Sequence, residues 1–333
     1  MEEKISIIIL VLIFSLCSCS GQLDEPNNML TIMSWNVDNL MDDKLDGTEY
    51  EEYTPSKGWD SIAYKRRLKN AAAVIKKDNT DIVLLQEIEH SGVLKDLLNS
   101  YLKREGYKYY GSIKKKDSAI SIGFISKIKP TNISVHSVIN NRSVLQLDFN
   151  IKGNLLTIFE VHAKSKYSGD IATEEDRINL SKILKSEMLK NSDHLVLMCG
   201  DFNEDPSQAT TEMSALILES NKNYLPYTKK GSLGLTPHRD SVFKSMMYSP
   251  TFDDSVKKST KGTYFYNGTW SNIDLILGSS YLFDGVGLDY YSFNIDNNDF
   301  LLTSSGIPNK WEIKGLCGIS DHLPVVMKLF DRE

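Results

Sequence analysis

The sequence predicts an α/β fold in one domain. Three observations carry this. Short apolar runs of strand length end in Asn, Asp, Glu or His. Segments with apolar residues at helical spacing lie between them. No internal repeat and no Pro/Gly/Ser-rich linker divides the 333 residues. Hydrophobic residues make up 41% and charged residues 25%, which supports an ordinary core and excludes a disordered chain. The net charge of -6 argues against a non-specific DNA coat. It leaves a nucleic-acid substrate open, because a local basic patch and divalent cations offset phosphate charge.

Ile5 to Leu16 is almost continuously apolar. That is the length of a signal-peptide core and too short for a spanning helix. It ends in Leu16-Cys17-Ser18-Cys19, which resembles the lipobox of a bacterial lipoprotein, with Cys19 as the lipidated residue. Met1-Glu2-Glu3-Lys4 departs from that pattern, with two acids and one Lys where a basic stretch is expected. The expectation is a signal over 1–18, a tether over 19–28 and the domain over 29–333. The protein would then be a membrane protein of the bacterial cell envelope, extracytoplasmic and tied to the lipid bilayer through Cys19. The remaining cysteines, Cys199 and Cys317, lack zinc-site spacing and are expected as two separate buried thiols.

Residues 29–36 alternate toward a strand that ends at Asn36, and a polar loop follows to Asp60. Over 61–77, Tyr64, Leu68, Ala71, Ala72 and Ile75 share one helical face. Asp81 to Glu87 reads as a buried strand with polar groups at its end. Ser91 is the expected N-cap of a helix through Arg104, with Gly106 as its stop. Strands are expected over 119–125, 143–149 and 155–161. A helix is expected from Thr173, capped with Asp176. A strand over 195–199, a helix after Pro206, and strands over 273–278 and 323–329 complete the reading. The polar segments 221–262 and 291–315 are expected as long loops.

Polar groups gather where apolar runs stop. Glu87 follows Leu84-Leu85-Gln86. Asp201 and Asn203 follow a glycine that permits a tight change of direction. His162 closes a strand, and Asp321-His322 precedes the last one. Phosphodiester cleavage needs such a set. A divalent cation offsets the phosphate charge, hard oxygen ligands suit Mg²⁺ or Mn²⁺, and a histidine with an orienting carboxylate handles protons or charge.

In order, S-W-N-V-D (34–38), L-Q-E (85–87), V-H-A-K-S-K (161–166), G-D-F-N (200–203), S-N-I-D-L-I-L (271–277) and S-D-H-L-P (320–324) resemble the endonuclease/exonuclease/phosphatase superfamily. That group includes DNase I-like nucleases, abasic-site endonucleases, sphingomyelinases and inositol polyphosphate phosphatases. The resemblance covers residues 29–330. It implies a four-layered α/β sandwich, with two packed, mostly antiparallel sheets flanked by helices. It implies Glu87 as the essential metal ligand, with Asn36, Asp38 and Asp321 at the metal site. Asp201 would orient or deprotonate the attacking water, and Asn203 would contact the phosphate or metal. Asp274 would partner His322, which acts as base or stabilises the phosphorane. His162 matches the second histidine of the DNase I-like branch, and Lys164, Lys166 and Arg177 are candidates for substrate phosphates. The segment Gly262–Trp270 resembles a G-T-Y…Y-x-G-x-W stretch of bacterial secreted members. Its aromatics are expected to stack on bases or to pack the loop. The expected activity is that of a monomeric Mg²⁺- or Mn²⁺-dependent DNA endonuclease with no obligate protein partner. The alternatives are a phospholipid phosphodiesterase, a sugar- or inositol-phosphate phosphatase, and a non-catalytic binding lipoprotein.

Overall fold

The computed structural model describes residues 28–208, 214–219, 231–242 and 246–332. Two mixed β-sheets lie face to face, with helices on their outer sides. With strands numbered in chain order, the first sheet runs β15 (Gly287–Ile295), β16 (Val325–Arg332), β1 (Met29–Leu40), β2 (Ile82–Ile88), β4 (Ser121–Ser126) and β3 (Tyr109–Ile113). Only β1 and β2 are parallel neighbours in it. The second runs β5 (Asn132–His136), β6 (Val144–Ile151), β7 (Asn154–His162), β8 (Leu195–Asp201), β14 (Asp274–Gly278), β11 (Met246–Tyr248), β10 (Leu233–Thr236) and β9 (Leu216–Leu218). Here β7 and β8 are parallel, and β8 and β14 antiparallel. A hairpin of β12 (Tyr264–Tyr266) and β13 (Thr269–Ser271) stands apart. Among the described residues the α-helices are α1 (Ser61–Lys77), α2 (Ser91–Leu97) and α3 (Asp170–Lys190).

Side-chain alternation builds the layers. In β8, Leu195, Leu197 and Cys199 face the first sheet and join the core that includes α1 and α2. Val196 and Met198 point the other way, against Leu180, Leu184 and Met188 of α3. The four layers are therefore helix, sheet, sheet, helix, as the resemblance implied.

Helix α1 matches its pattern. The Asp60 carboxylate caps Ile62 N and Ala63 N, and Tyr64, Leu68, Ala71, Ala72 and Ile75 are buried. Elsewhere the structure differs. The cap of α2 is His90, not Ser91, with its ring accepting from Gly92 N. Regular α-helix stops at Leu97. A π turn over Leu98–Leu102 and a 3-10 turn follow before Gly106 ends the run in the left-handed region at φ 92°. Helix α3 begins at Asp170, so Thr173 lies inside it and donates to Gly169 O at 2.9 Å instead of capping. After Pro206 only a 3-10 turn to Gln208 is formed, and the next residues lie outside the described ones. The supposed loops contain β10, β11 and the end of β15. Both cysteines are free, but Cys317 is exposed, not buried.

The expectation of a membrane protein is corrected. Among the described residues no helix is long and apolar enough to cross a membrane. The lipobox-like segment with Cys19, and the tether as far as residue 27, lie outside the described residues.

One acid sits between the sheets. Glu160 of β7 is fully buried, and Gln86 of β2 donates to it at 3.2 Å. Burial holds its carboxyl well above the usual range, and hydrogen bonds from Gln86 and the backbone only partly offset this. The folded chain therefore keeps a proton that the unfolded chain releases near pH 4.5. Stability should fall by about 1.4 kcal/mol per pH unit above that point until the folded carboxyl ionises. Glu160→Gln should remove this slope, gaining stability at pH 8 relative to wild type and little at pH 4.5. Urea denaturation across that range measures it.

Candidate active site

Strand direction brings the polar residues to one rim. The carboxyl ends of the parallel pairs β1/β2 and β7/β8 meet there, with the beginnings of the antiparallel β14 and β16. In the second sheet His162, Asp201 and Asp274 are register partners on adjacent strands. Gly200 permits this: at φ 144°, an added Cβ would stand 2.0 Å from Val161 O.

The rim is irregular where the chemistry gathers. Register shifts fall between Asn36 and Leu40 in β1 and between Gln86 and Ile88 in β2. Inside those bulges Asp38 (φ 55°), Asn39 (φ 60°) and Glu87 (φ 63°) adopt left-handed backbones, and Asn203 (φ 49°) does so beyond β8. A left-handed conformation costs a non-glycine residue about 1 kcal/mol or more and points to function when held in place.

Asn36 links the sheets. Its Nδ2 donates to Glu87 Oε1 at 3.1 Å and to Asp201 Oδ2 at 3.0 Å, while its Oδ1 accepts from Asp38 N at 3.1 Å. Asp201 Oδ1 accepts from Asn203 N at 2.8 Å. His162 Nε2 lies 3.6 Å from Asp201 and 3.7 Å from Glu87. His322 Nδ1 lies 2.9 Å from Asp274 Oδ2, and Tyr264 stacks on its ring at 4.5 Å. Lys310 Nζ lies 2.8 Å from Asp321 and 3.7 Å from Asp38. Asp38 Oδ2 is buried and has no hydrogen-bond partner.

Burial and neighbouring charges separate these groups. Burial, reinforced by Asp274, raises Asp201 to about 7. Burial and Asp321 raise Asp38 to about 6. His162 is pushed well below the usual imidazole range by burial, then by Arg142 and His322. His322 goes the other way: burial opposes its cation, but Asp274, Asp201 and Asp321 hold it well above that range. The two imidazoles are thus pushed in opposite directions, an arrangement that lets one site handle opposite proton chemistries.

Arg177 is placed differently from the expectation. It is buried, donates to Thr173 Oγ1 at 2.7 Å and lies 3.5 Å from Glu204. Its guanidinium faces Glu204 in the loop after Asn203. Lys164 and Lys166 are exposed on the segment after His162.

The sequence reading passed over several supporting groups. Ser320 donates its hydroxyl to Asn36 O at 2.8 Å and accepts from His322 N at 3.0 Å. Trp35 Nε1 donates to His322 O at 3.2 Å. Arg67 is fully buried and donates to Val37 O, to Asp38 O at 2.9 Å and to Ile319 O, with its guanidinium 5.2 Å from the Trp311 ring centre. A signal for Arg67 existed: it sits three residues after Tyr64 on the apolar face of α1, where a cation has no solvent.

Asp201, Asp274 and His322 have potential ligand atoms within 4.8 Å of one another, and the rim is suited to a divalent metal ion. The oxygen-rich donors and the orphaned Asp38 Oδ2 fit a hard cation.

The model of the endonuclease/exonuclease/phosphatase family matches residues 31–331, and the chain belongs to that family. No curated protein sequence matches it significantly. Among solved structures, it is similar to an endonuclease/exonuclease/phosphatase family protein from Bacteroides thetaiotaomicron, at 14% identity and TM-score 0.56, covering 92% of this chain and 99% of that one. It is similar to truncated TDP2 from Caenorhabditis elegans, at 16% identity and TM-score 0.54, covering 91% and 97%. A third is the mannosyl-6-phosphatase Bt3783 of B. thetaiotaomicron VPI-5482, at 15% identity and TM-score 0.53, covering 90% and 99%. At these identities the likeness is one of fold.

Arg67→Ala would leave three buried carbonyls without their donor. It should cost about 3 kcal/mol or more of stability with an unchanged denaturant slope, measured by urea unfolding. Asp274→Asn should bring the His322 pKa down toward the ordinary imidazole range, read by NMR titration of the ring.

Proposed function

We propose that the protein is a metal-dependent phosphodiester hydrolase that acts on DNA as an endonuclease. One observation carries the reading: two histidines meet the Asn36–Glu87–Asp201 hydrogen-bonded group at one rim, His162 beside Glu87 and Asp201 and His322 against Asp274. Glu87, with Asn36, Asp38 and Asp321, would hold Mg²⁺ or Mn²⁺, which when bound offsets the charge of the phosphate and of the departing oxygen. Asp201, poised near neutrality and oriented by Asn36 and Asn203 N, takes a proton from the attacking water. His322, kept cationic by Asp274, donates to a non-bridging phosphoryl oxygen. His162 hydrogen-bonds the departing oxygen through Nε2, and that oxygen takes its proton from solvent as the bond to phosphorus breaks, while Asp201 returns its proton to solvent. Asn203 contacts the phosphate beside it. In the DNase I-like pattern the products are a 5′-phosphate and a 3′-hydroxyl.

DNA is favoured by what surrounds the rim. Lys164 and Lys166 offer exposed cations to backbone phosphates. From His322 the rings of Tyr264 and Tyr266 continue outward, their centres 6.2 Å apart and their planes 12° from parallel. Tyr266 is 61% exposed, which suits a base stacked on its face. The apolar segment 5–16, read as an export signal, would place this activity outside the cytoplasm.

The test is a panel of supercoiled plasmid, single-stranded DNA, RNA, sphingomyelin and hexose phosphates, each with Mg²⁺, Mn²⁺ or chelator. Metal-dependent plasmid nicking is expected. Its absence across pH 5–9, with release of choline phosphate or inorganic phosphate instead, would move the protein to a lipid or sugar-phosphate class. Glu87→Gln and His322→Gln should each lower turnover by about 10³-fold or more with native circular dichroism. Tyr266→Ala should weaken single-stranded DNA binding by about 1–3 kcal/mol without changing metal affinity.

A further inference from the structure

Beside the catalytic rim lies an acidic cluster that the proposed chemistry does not use. Residues 42–49 read D-D-K-L-D-G-T-E and fold against the end of β2. Carboxylate oxygens of Asp46, Glu49 and Glu89 lie within 4.8 Å of one another, and Asp42, Glu89 and His90 form an adjoining group with the same spacing. The backbone fixes these carboxylates. Glu89 Oε2 accepts from Asp42 N at 2.7 Å, and Asp42 Oδ1 accepts from Lys44 N at 2.7 Å. Asp46 Oδ1 accepts from Thr48 N at 2.8 Å, and Glu49 accepts from Asp46 N and Gly47 N.

The observation that points to a ligand is Glu89. It is 0% exposed, yet its Oε1 makes no hydrogen bond, and its carboxylate belongs to both groups. A buried carboxylate oxygen left this way is costly unless something cationic meets it. His90 Nε2 is 4.0 Å away. Its Nδ1 accepts from Gly92 N at 3.0 Å, so the ring proton sits on Nε2, 3.4 Å from Asp42 Oδ2. That tautomer has no free lone pair for a metal. Lys114 Nζ pairs with Asp46 Oδ2 at 3.2 Å. The donors left facing inward are oxygens.

We propose that Glu89, Asp46 and Glu49 bind a hard divalent cation of the calcium type, with the Asp42–His90 pair as the wall of the site. An all-oxygen set on a short acidic loop, with carboxylates able to bind through one oxygen or two, suits Ca²⁺. Soft transition ions prefer nitrogen or sulfur, and Mg²⁺ demands a stricter octahedron. The site is distinct from the catalytic metal residues but tied to them. Glu89 N donates to Leu40 O at 3.0 Å, so the cation would clasp the segment after Asp38 to the segment after Glu87. Both lie next to the left-handed residues of the rim. The inference does not depend on the reaction proposed above.

Tb³⁺ replaces Ca²⁺ at such sites, and Trp59, whose indole donates to Asp42 O, is a built-in antenna. In the full-length chain, sensitised Tb³⁺ luminescence should appear, be displaced by Ca²⁺, and persist in Glu87→Gln. It should be lost in Glu89→Gln and in the double variant Asp46→Asn/Glu49→Gln, whose positions are exposed and half-buried so that folding is not at stake. Ca²⁺ should raise the thermal midpoint of the wild type and not of the double variant. Luminescence that survives the double variant, disappears in Glu87→Gln or resists Ca²⁺ would overturn the proposal.

Discussion

Arg67 has no water to turn to, and its guanidinium is divided between two strand ends. Val37 O and Asp38 O belong to the bulged end of β1, and Ile319 O to the turn that leads into β16. Those segments carry Asp38 and Asp321. Like-charged carboxylates that approach in a dry setting would separate or take up protons. A fixed cation behind them, unable to lose its own proton, opposes both outcomes. Asn70 adds a bond from the same helix to Gly318 O at 3.0 Å. Helix α1 is thus more than a cover for the sheet, because it sets the distance between two arms of the site.

The rest of the rim follows a similar economy. Two side chains there each serve two partners: Asn36 by bridging both sheets, Ser320 by joining Asn36 O to His322 N. The opposite pKa displacements of His162 and His322 need no difference in burial, since both are nearly inaccessible. They differ in company. Asp274 touches His322 at 2.9 Å, whereas the carboxylates nearest His162 stand 3.6 and 3.7 Å away and Arg142 and His322 oppose a charge on it.

Much of this was legible in the sequence because of how strands work. A buried strand is mostly apolar along its length and shows its polar residues at the end that reaches the rim, so Glu87, Asp201 and His162 announced themselves at the ends of apolar runs. Helix α1 showed a clean stripe. Three kinds of feature were not legible. Strands of three or four residues, such as β9, β10 and β11, are too short for a period to appear. Cations in dry places, Arg67 and Arg177, look like surface charges in a sequence that does not reveal their acceptors. Helix boundaries at α2 and α3 moved because His90 and Gly169 offered starts that the Ser and Thr patterns concealed.

The antiparallel pairing of Met29 with Phe330 brings the first and last strands together at their far ends. From Met29 to Asn36 is seven residues of extended chain, about 23 Å. Asp331 N also donates to Asn28 O at 2.9 Å. The two ends of the domain are therefore neighbours on the face turned away from the chemistry. A short bridge between them would close the chain at little entropic cost, and new ends opened in a surface loop would leave the strand order intact. Cargo or surface fused at either end would sit behind the sheets, with the rim still facing outward.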